Sequence, residues 1–181
     1  NPIDAFFEMC SGFSTTGASI LTDLEALPKS LLMWRSTTQW LGGMGVIVLV
    51  MALIPGFGAK AMSIASAETP GPTVSKLGAR FSDTAQRLYL AYIALTALEI
   101  IFLLFGGLSP YDATLHSLST MATGGFSCYS DSIAHFNSTY VYWIITIFTL
   151  LAGMNFNLFF VGIREGVKKM FQDEELRFYI K

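Results

Sequence analysis

The stretch Phe13-Ser14-Thr15-Thr16-Gly17-Ala18-Ser19 decides how this chain is read, because the chain states it twice. Displaced by 108 positions, residues 1–19 fall on 109–127 without a gap. Pro2 meets Pro110, Asp4 meets Asp112, Ala5 meets Ala113 and Ser11 meets Ser119; then Thr15 meets Thr123, Gly17 meets Gly125 and Ser19 meets Ser127. These are 7 identities in 19, and a Thr-x-Gly step falls at the same place in both copies. Each step follows a short helical pattern: Asn1 and Ser109 suit the N-cap, Pro2 and Pro110 the first helical position, and Asp4 and Asp112 the positive end of the helix. A helix of about eleven residues is roughly 16 Å long, half of a ~30 Å hydrocarbon layer. A chain that goes halfway in and then turns through a polar, glycine-containing loop returns to the side it entered. Non-helical backbone survives at that depth only inside protein or along a watery path. The two copies therefore read as ion-coordinating loops of one pore.

The composition fits such a setting. Of 181 residues, 52% are hydrophobic and 13% charged, against about 25% charged in ordinary soluble domains; mean hydropathy is +0.53. A net charge of −2 without a basic stripe gives no basis for nucleic-acid binding. Cys10 and Cys128 are not repeat mates, which argues against a disulfide framework. The chain opens on Asn1-Pro2, inside a repeat and without an initiator Met, as expected of a piece of a longer polypeptide.

Three apolar runs predict full membrane spans. The first, Leu31–Ile54, carries one charge, Arg35, expected to snorkel near the outer interface. Its middle, Gly42-Gly43-Met44-Gly45, predicts close helix packing, with a hinge or pore-facing role as the other option. Gly56–Asp83 reads as an extramembrane connector around Pro70-Gly71-Pro72, with Asp83 capping the next helix. The second span, Leu88–Leu108, contains Glu99; the third, Thr139–Gly162, is uncharged and carries Gly153, Asn155 and Asn157. The expected fold class is thus an all-α membrane protein of span–pore helix–filter loop–span repeats, with three full transmembrane helices and two half-membrane pore helices. Residues 1–55 would be a first repeat lacking its opening span, 56–84 a cytoplasmic connector, 85–163 a complete second repeat and 164–181 a cytoplasmic tail. Nine of the eleven basic residues, all but Lys29 and Arg35, then fall on one face, which marks it as cytoplasmic.

A desolvated monovalent cation needs oxygens in place of its water. Backbone carbonyls supply them without fixed charge, glycine lets the chain aim them, and the negative end of a helix favours a cation nearby. The candidate ion-binding residues are Thr15, Thr16, Gly17 and Ala18 in the first loop and Thr123, Gly124, Gly125 and Phe126 in the second. Asp23 and Asp131, also repeat mates, stand just beyond the loops and would add negative potential at the pore mouth. Glu99 is a functional candidate as an ionisable group within a span, with a structural pair as the alternative. Asn155 and Asn157 suit hydrogen bonds between helices. Glu8 and His116, mates in the half-helices, suit supports rather than ligands. The two histidines, His116 and His135, have no paired catalytic Asp or metal-ligand spacing near them, so no enzyme and no cofactor is expected.

The Thr-x-Gly step is similar to the Thr-Val-Gly core of potassium-channel filters, without the Tyr-Gly that completes it. The chain as a whole resembles the Trk/Ktr/HKT superfamily of potassium transporters, most closely its bacterial Trk-type branch. The resemblance runs through Phe6-Phe7-Glu8, Ser11–Ala18, Gln39-Trp40-Leu41-Gly42-Gly43-Met44-Gly45, Ala122–Ser127, Leu151–Phe156, Glu68–Pro72 and Glu175–Tyr179. It implies four such repeats around one pore, two subunits paired as a homodimer, and potassium as transported substrate. It also implies a bacterial inner-membrane location among lipid, and a cytoplasmic nucleotide-binding regulatory subunit as partner. Gly17 and Gly125 would be filter glycines, and a glycine in the first loop is of the potassium-preferring type. The opening span of the first repeat and the third and fourth repeats are not in this sequence. Alternatives are a potassium-channel pore subunit whose dimer supplies four loops, and a sodium/potassium transporter of the same superfamily.

Overall fold

The computed structural model describes residues 1–45 and 74–154, then 158–159, 166, 172 and 174–180, with side chains in the second block from residue 86. Every regular element among the described residues is helical. Helix α1 spans Pro2–Phe13, α2 Lys29–Gly43, α3 Val74–Phe105, α4 Pro110–Met121 and α5 Thr139–Ala152; a 3-10 turn covers Ser132–Phe136, and α6 is Glu174–Ile180.

The half-helices begin as their sequences dictate. Asn1 Oδ1 accepts from the Ile3 amide at 3.1 Å. Ser109 Oγ accepts from the Asp112 amide at 3.1 Å while its hydroxyl donates to Asp112 Oδ2 at 2.8 Å, a reciprocal cap that satisfies an orphan helix donor. Both helices are 12 residues long and differ from the expected limits only by their caps.

The longer helices depart from the sequence-based expectations. α3 does not start at Asp83 but runs on from Val74 for 32 residues, so Asp83 lies inside it. The residues between Pro72 and Asp83 hold no further proline to stop a helix. Within α3, Gln86–Phe105 has a mean hydropathy of 2.2 over 20 residues, long and apolar enough to cross a membrane; among the described residues it is the one helix that is. α3 ends at Phe105 rather than Leu108, where Gly107 turns left-handed at φ +85. α2 does not continue unbroken towards Ile54: it closes at Gly43, and Gly45 follows at φ +77. Residues 46–54 lie outside the described part. α5 likewise closes at Ala152, with Gly153 as its C-cap, and Asn155 and Asn157 lie outside the described residues. Gly43-Met44 and Gly153-Met154 thus both stand at helix ends. Packing explains one of these glycines: a Cβ on Gly43 would come within 2.6 Å of Tyr92 Oη and 2.8 Å of Ala122 Cα.

α2 packs against both α1 and α4, and α4 against α3 and α5. Leu24, Leu32, Leu115 and Cys128 form one core cluster, Leu103, Leu108, Ala113 and Val141 a second, and Tyr92, Met121 and Phe148 a third. At the α2–α3 seam the Trp40 and Tyr92 rings stack at 5.2 Å, and Trp40 Nε1 donates to Thr96 Oγ1 at 3.1 Å. Such an aromatic pair contributes about 0.5–1.5 kcal/mol beyond its buried area. Ile3, Phe6, Phe105 and Trp143 stay exposed, leaving apolar faces outward.

Candidate functional site

Both half-helices end in the same hydrogen-bonded turn. The Thr15 amide donates to Gly12 O at 3.0 Å and the Thr16 amide to Ser11 O at 3.1 Å; 108 residues on, Thr123 donates to Thr120 O at 2.8 Å and Gly124 to Ser119 O at 3.0 Å. The helix-end carbonyls are thereby satisfied by the loops that follow them. Thr15 and Gly17 have φ of 56 and 74, and their mates Thr123 and Gly125 have 53 and 80. The residue between each pair, Thr16 or Gly124, is not left-handed. A threonine at positive φ is uncommon and costs energy, yet it occurs in both copies at the equivalent position.

The loops meet each other. A Cβ on Gly17 would collide with the Gly124 carbonyl oxygen, whereas one on Gly125 would meet nothing within 4 Å. Thr16, Ala18, Thr123 and Gly125 are exposed, Thr15, Gly17 and Gly124 half-buried, and Phe126 buried. A cavity of about 210 Å³ opens on the second loop, between Thr123, Gly125, Thr120 and Ile145.

Behind the loops the scaffolding differs between copies. Glu8, 4% exposed, accepts from Ser19 Oγ and the Ile20 amide through Oε1, each at 2.8 Å. Its Oε2 takes Arg35 Nε and Nη2, each at 2.9 Å. Arg35 also donates from Nη2 to Ser19 Oγ at 3.1 Å, and its guanidinium stands 4.1 Å from the centre of the Phe126 ring. In the second copy His116 replaces Glu8. Its Nδ1 pairs with Asp112 O at 2.8 Å and its Nε2 with Ser127 Oγ at 3.0 Å. Since the carbonyl can only accept, Nδ1 carries the proton there, and the Ser127 hydroxyl donates to Nε2. Ser19 and Ser127, mates two residues beyond the loop glycines, are therefore both anchored to their own half-helix, one by a carboxylate and one by an imidazole.

Arg35 corrects an expectation: it is 2% exposed and ion-paired rather than snorkelling. Its signal in the sequence is a lone arginine in an apolar run, with Gln39 one helical turn further on the same face. Gln39, also fully buried, accepts from Ser119 Oγ at 2.7 Å and from the Phe126 amide at 3.2 Å. Neither was singled out from the sequence as a support of the loops.

The remaining candidates stand apart. Asp23 and Asp131 are both exposed, and Asp23 Oδ1 accepts from the Ala26 amide at 3.2 Å. Beside Asp23, Glu25 ties the two post-loop segments together: it pairs with Ser130 Oγ at 2.6 Å and accepts from the Ser130 amide at 3.0 Å. The Ser130 hydroxyl, then its amide, pull the Glu25 carboxyl down to about 2. Glu99 is fully buried in α3 beside Thr120, with no hydrogen-bond partner on either carboxylate oxygen among the described residues. Both cysteines are free thiols.

The described residues thus form an all-helical set with twin half-helices, matched left-handed loops and one helix, Gln86–Phe105, long and apolar enough to cross a membrane. The chain belongs to the TrkH family of cation transport proteins, whose match covers residues 1–180. It is 42% identical over 179 residues to the Trk system potassium uptake protein TrkH of Salmonella typhimurium, covering 98% of this chain and 37% of that protein. It is 39% identical over 180 residues to the Trk system potassium uptake protein TrkG of Escherichia coli K12, again 98% of this chain and 37% of the relative. The crystal structure of the potassium transporter TrkH from Vibrio parahaemolyticus superposes with a TM-score of 0.78 at 33% identity, over 99% of this chain and 36% of that one. The chain thus spans a little over a third of the length of the relatives it matches.

Proposed function

We propose that the two loops are half of a selectivity filter through which the complete protein takes up potassium. The observation that carries this is the matched alternation of backbone hand at Thr15–Gly17 and Thr123–Gly125. Alternating left- and right-handed residues turn successive carbonyls to one edge and amides to the other. The amides of Thr15, Thr16, Thr123 and Gly124 are already spent on the half-helices. The carbonyls of Thr15, Thr16 and Gly17, and of Thr123, Gly124, Gly125 and Phe126, are then the oxygens offered to an ion, while that of Ala18 accepts the Ser11 hydroxyl at 2.6 Å. Phe126 contributes through its backbone, since its ring lies under Arg35. The names of the relatives, potassium uptake proteins, support potassium as cargo.

In this account residues 1–55 and 85–163 are two repeats, joined by 56–84 and followed by a cytoplasmic tail at 164–181. The first pore helix is α1 and the second α4; the three spans are the segments that contain α2, α3 and α5. Four loops are needed to surround an ion, so the filter is completed by the rest of the polypeptide. Pairing of two subunits in a bacterial inner membrane, with a nucleotide-binding regulatory subunit on the cytoplasmic face, belongs to the same proposal. Asp23 and Asp131 enrich cations at the outer mouth; neutralising both lowers uptake at low salt, and unchanged uptake removes them from the account.

The deciding experiment is Gly17→Ser and, separately, Gly125→Ser in the full-length protein, with potassium and sodium flux measured in proteoliposomes. Both substitutions are expected to lower the potassium-to-sodium ratio. A parental ratio in both would refute the filter assignment.

A further inference from the structure

Serine 11 and serine 119 are repeat mates, yet they close different circuits. Ser11 Oγ donates directly to the Ala18 carbonyl at 2.6 Å. Ser119 Oγ instead donates at 2.7 Å to Gln39 Oε1, which also accepts the amide of Phe126, the mate of Ala18, at 3.2 Å. That amide can only donate, so the acceptor at this position is the oxygen of the glutamine. Gln39 comes from α2, in the first repeat, and grips the loop of the second.

The peptide plane gives this bond its consequence. In a trans peptide the N–H of Phe126 and the C=O of Gly125 point in opposite directions. Fixing the Phe126 amide on Gln39 therefore turns the Gly125 carbonyl away from α2, to the side where Gly125 is exposed. The opposite end of the same side chain lies in the seam between the loops. A Cβ on Gly124 would fall 2.5 Å from Gln39 Nε2, and one on Gly17 would fall 3.6 Å from it. Gln39 is wholly buried, and Nε2 has no hydrogen-bond partner among the described residues. A buried donor without a partner is costly, and the helix carries it where the two loops touch.

We infer that Gln39 is a specificity-determining positioning residue: it sets the orientation of the Gly125 carbonyl and so tunes ion discrimination by the second loop from the first repeat. Ser119 acts through it by holding its oxygen in place. In copy one Ser11 bonds its loop directly, at the Ala18 carbonyl, and so fixes the next peptide plane along rather than the one that carries the Gly17 carbonyl. The inference rests on the filter reading above, with Gly125 as an ion ligand.

The test uses the full-length protein in proteoliposomes, with the potassium-to-sodium flux ratio and the thermal unfolding midpoint measured on the same preparations. Gln39→Met keeps the length of the side chain and removes the acceptor. It is expected to lower the ratio roughly tenfold, the size of one lost buried hydrogen bond, in protein that remains folded. Ser119→Ala is expected to lower it roughly threefold, and the double variant to be no worse than Gln39→Met alone, because the two act in series. A parental ratio in Gln39→Met, or additive losses in the double variant, overturns the inference. Should Gln39→Met fail to fold, Ser119→Ala decides alone, a parental ratio counting against. Gly125→Ser run alongside separates the two readings. If it loses selectivity while Gln39→Met does not, only the positioning role falls; if Gly125→Ser keeps the parental ratio, Gly125 is no ion ligand and this role falls with it, and a parental ratio in Gly17→Ser as well removes the filter itself.

Discussion

The two loops share a backbone and differ in what holds it. Loop one rests on a buried ion pair, Glu8–Arg35, that joins α1 to α2. Loop two rests on a neutral set, His116 and Gln39, reaching it from α4 and α2. Equivalent left-handed positions at Thr15 and Thr123 and at Gly17 and Gly125 survive this exchange of chemistry. The conformation of the loop is thus the constrained quantity, and the means of holding it is free to vary.

The largest difference should appear when each support is truncated. Glu8→Ala leaves the Arg35 charge buried without its carboxylate and is expected to destabilise by about 3–5 kcal/mol. His116→Ala strands only neutral partners, at about 1–3 kcal/mol. Unfolding midpoints of the full-length protein in detergent measure both, and equal losses would break the contrast between a charged and a neutral scaffold.

Next come the glycines. Alanine at either Gly17 or Gly125 meets the left-handed backbone, a cost of about 1–2 kcal/mol. At Gly17 it also meets the Gly124 carbonyl, whereas Gly125 has open space. Gly17→Ala is therefore expected to lower the midpoint more than Gly125→Ala, and the reverse order would show that the loops do not touch as described. A smaller effect, about 1 kcal/mol, is expected for Ser109→Ala, which removes the cap of α4.

The smallest effect is a pH dependence at the link between the post-loop segments. The folded Glu25 carboxyl is lowered from 4.5 to about 2 by Ser130. Its contribution is fully present above the ordinary carboxylate range and is lost as pH falls through about 2. Glu25 is exposed, so the contribution is slight. Ser130→Ala should lower the midpoint a little at pH 6, with the gap to the parent protein closing as pH approaches 2. A gap that widens in acid would reverse the assigned sign.

The half-helices and loops were legible in the sequence because their signals are local. Asn1, Ser109 and the prolines place the helix starts, and the Thr-x-Gly repeat places the turns. The longer helices were less legible. A hydropathic run does not reveal that Gly43 and Ala152 end helices, since Gly45 and Gly153 also suit close packing. Asp83 looked like a cap, yet a helix already under way from Val74 carries it in its interior. The supports behind the loops were the least legible. Arg35 and Gln39 take their meaning from partners far away in sequence, Glu8 and Ser119 respectively. Membership of the pair is decided by packing of α2 between α1 and α4, which no local pattern encodes.

The grip of α2 on Phe126 has a consequence for how such a duplicated molecule can change. Its two copies are alike in sequence but they are not exchangeable cassettes. Replacing residues 1–19 by 109–127 would set a histidine in place of Glu8, facing the guanidinium of Arg35, and would leave that buried charge without its counter-ion. Because α2 of the first copy holds the loop of the second, the two copies work as a matched set. A substitution in either is then answerable to the other.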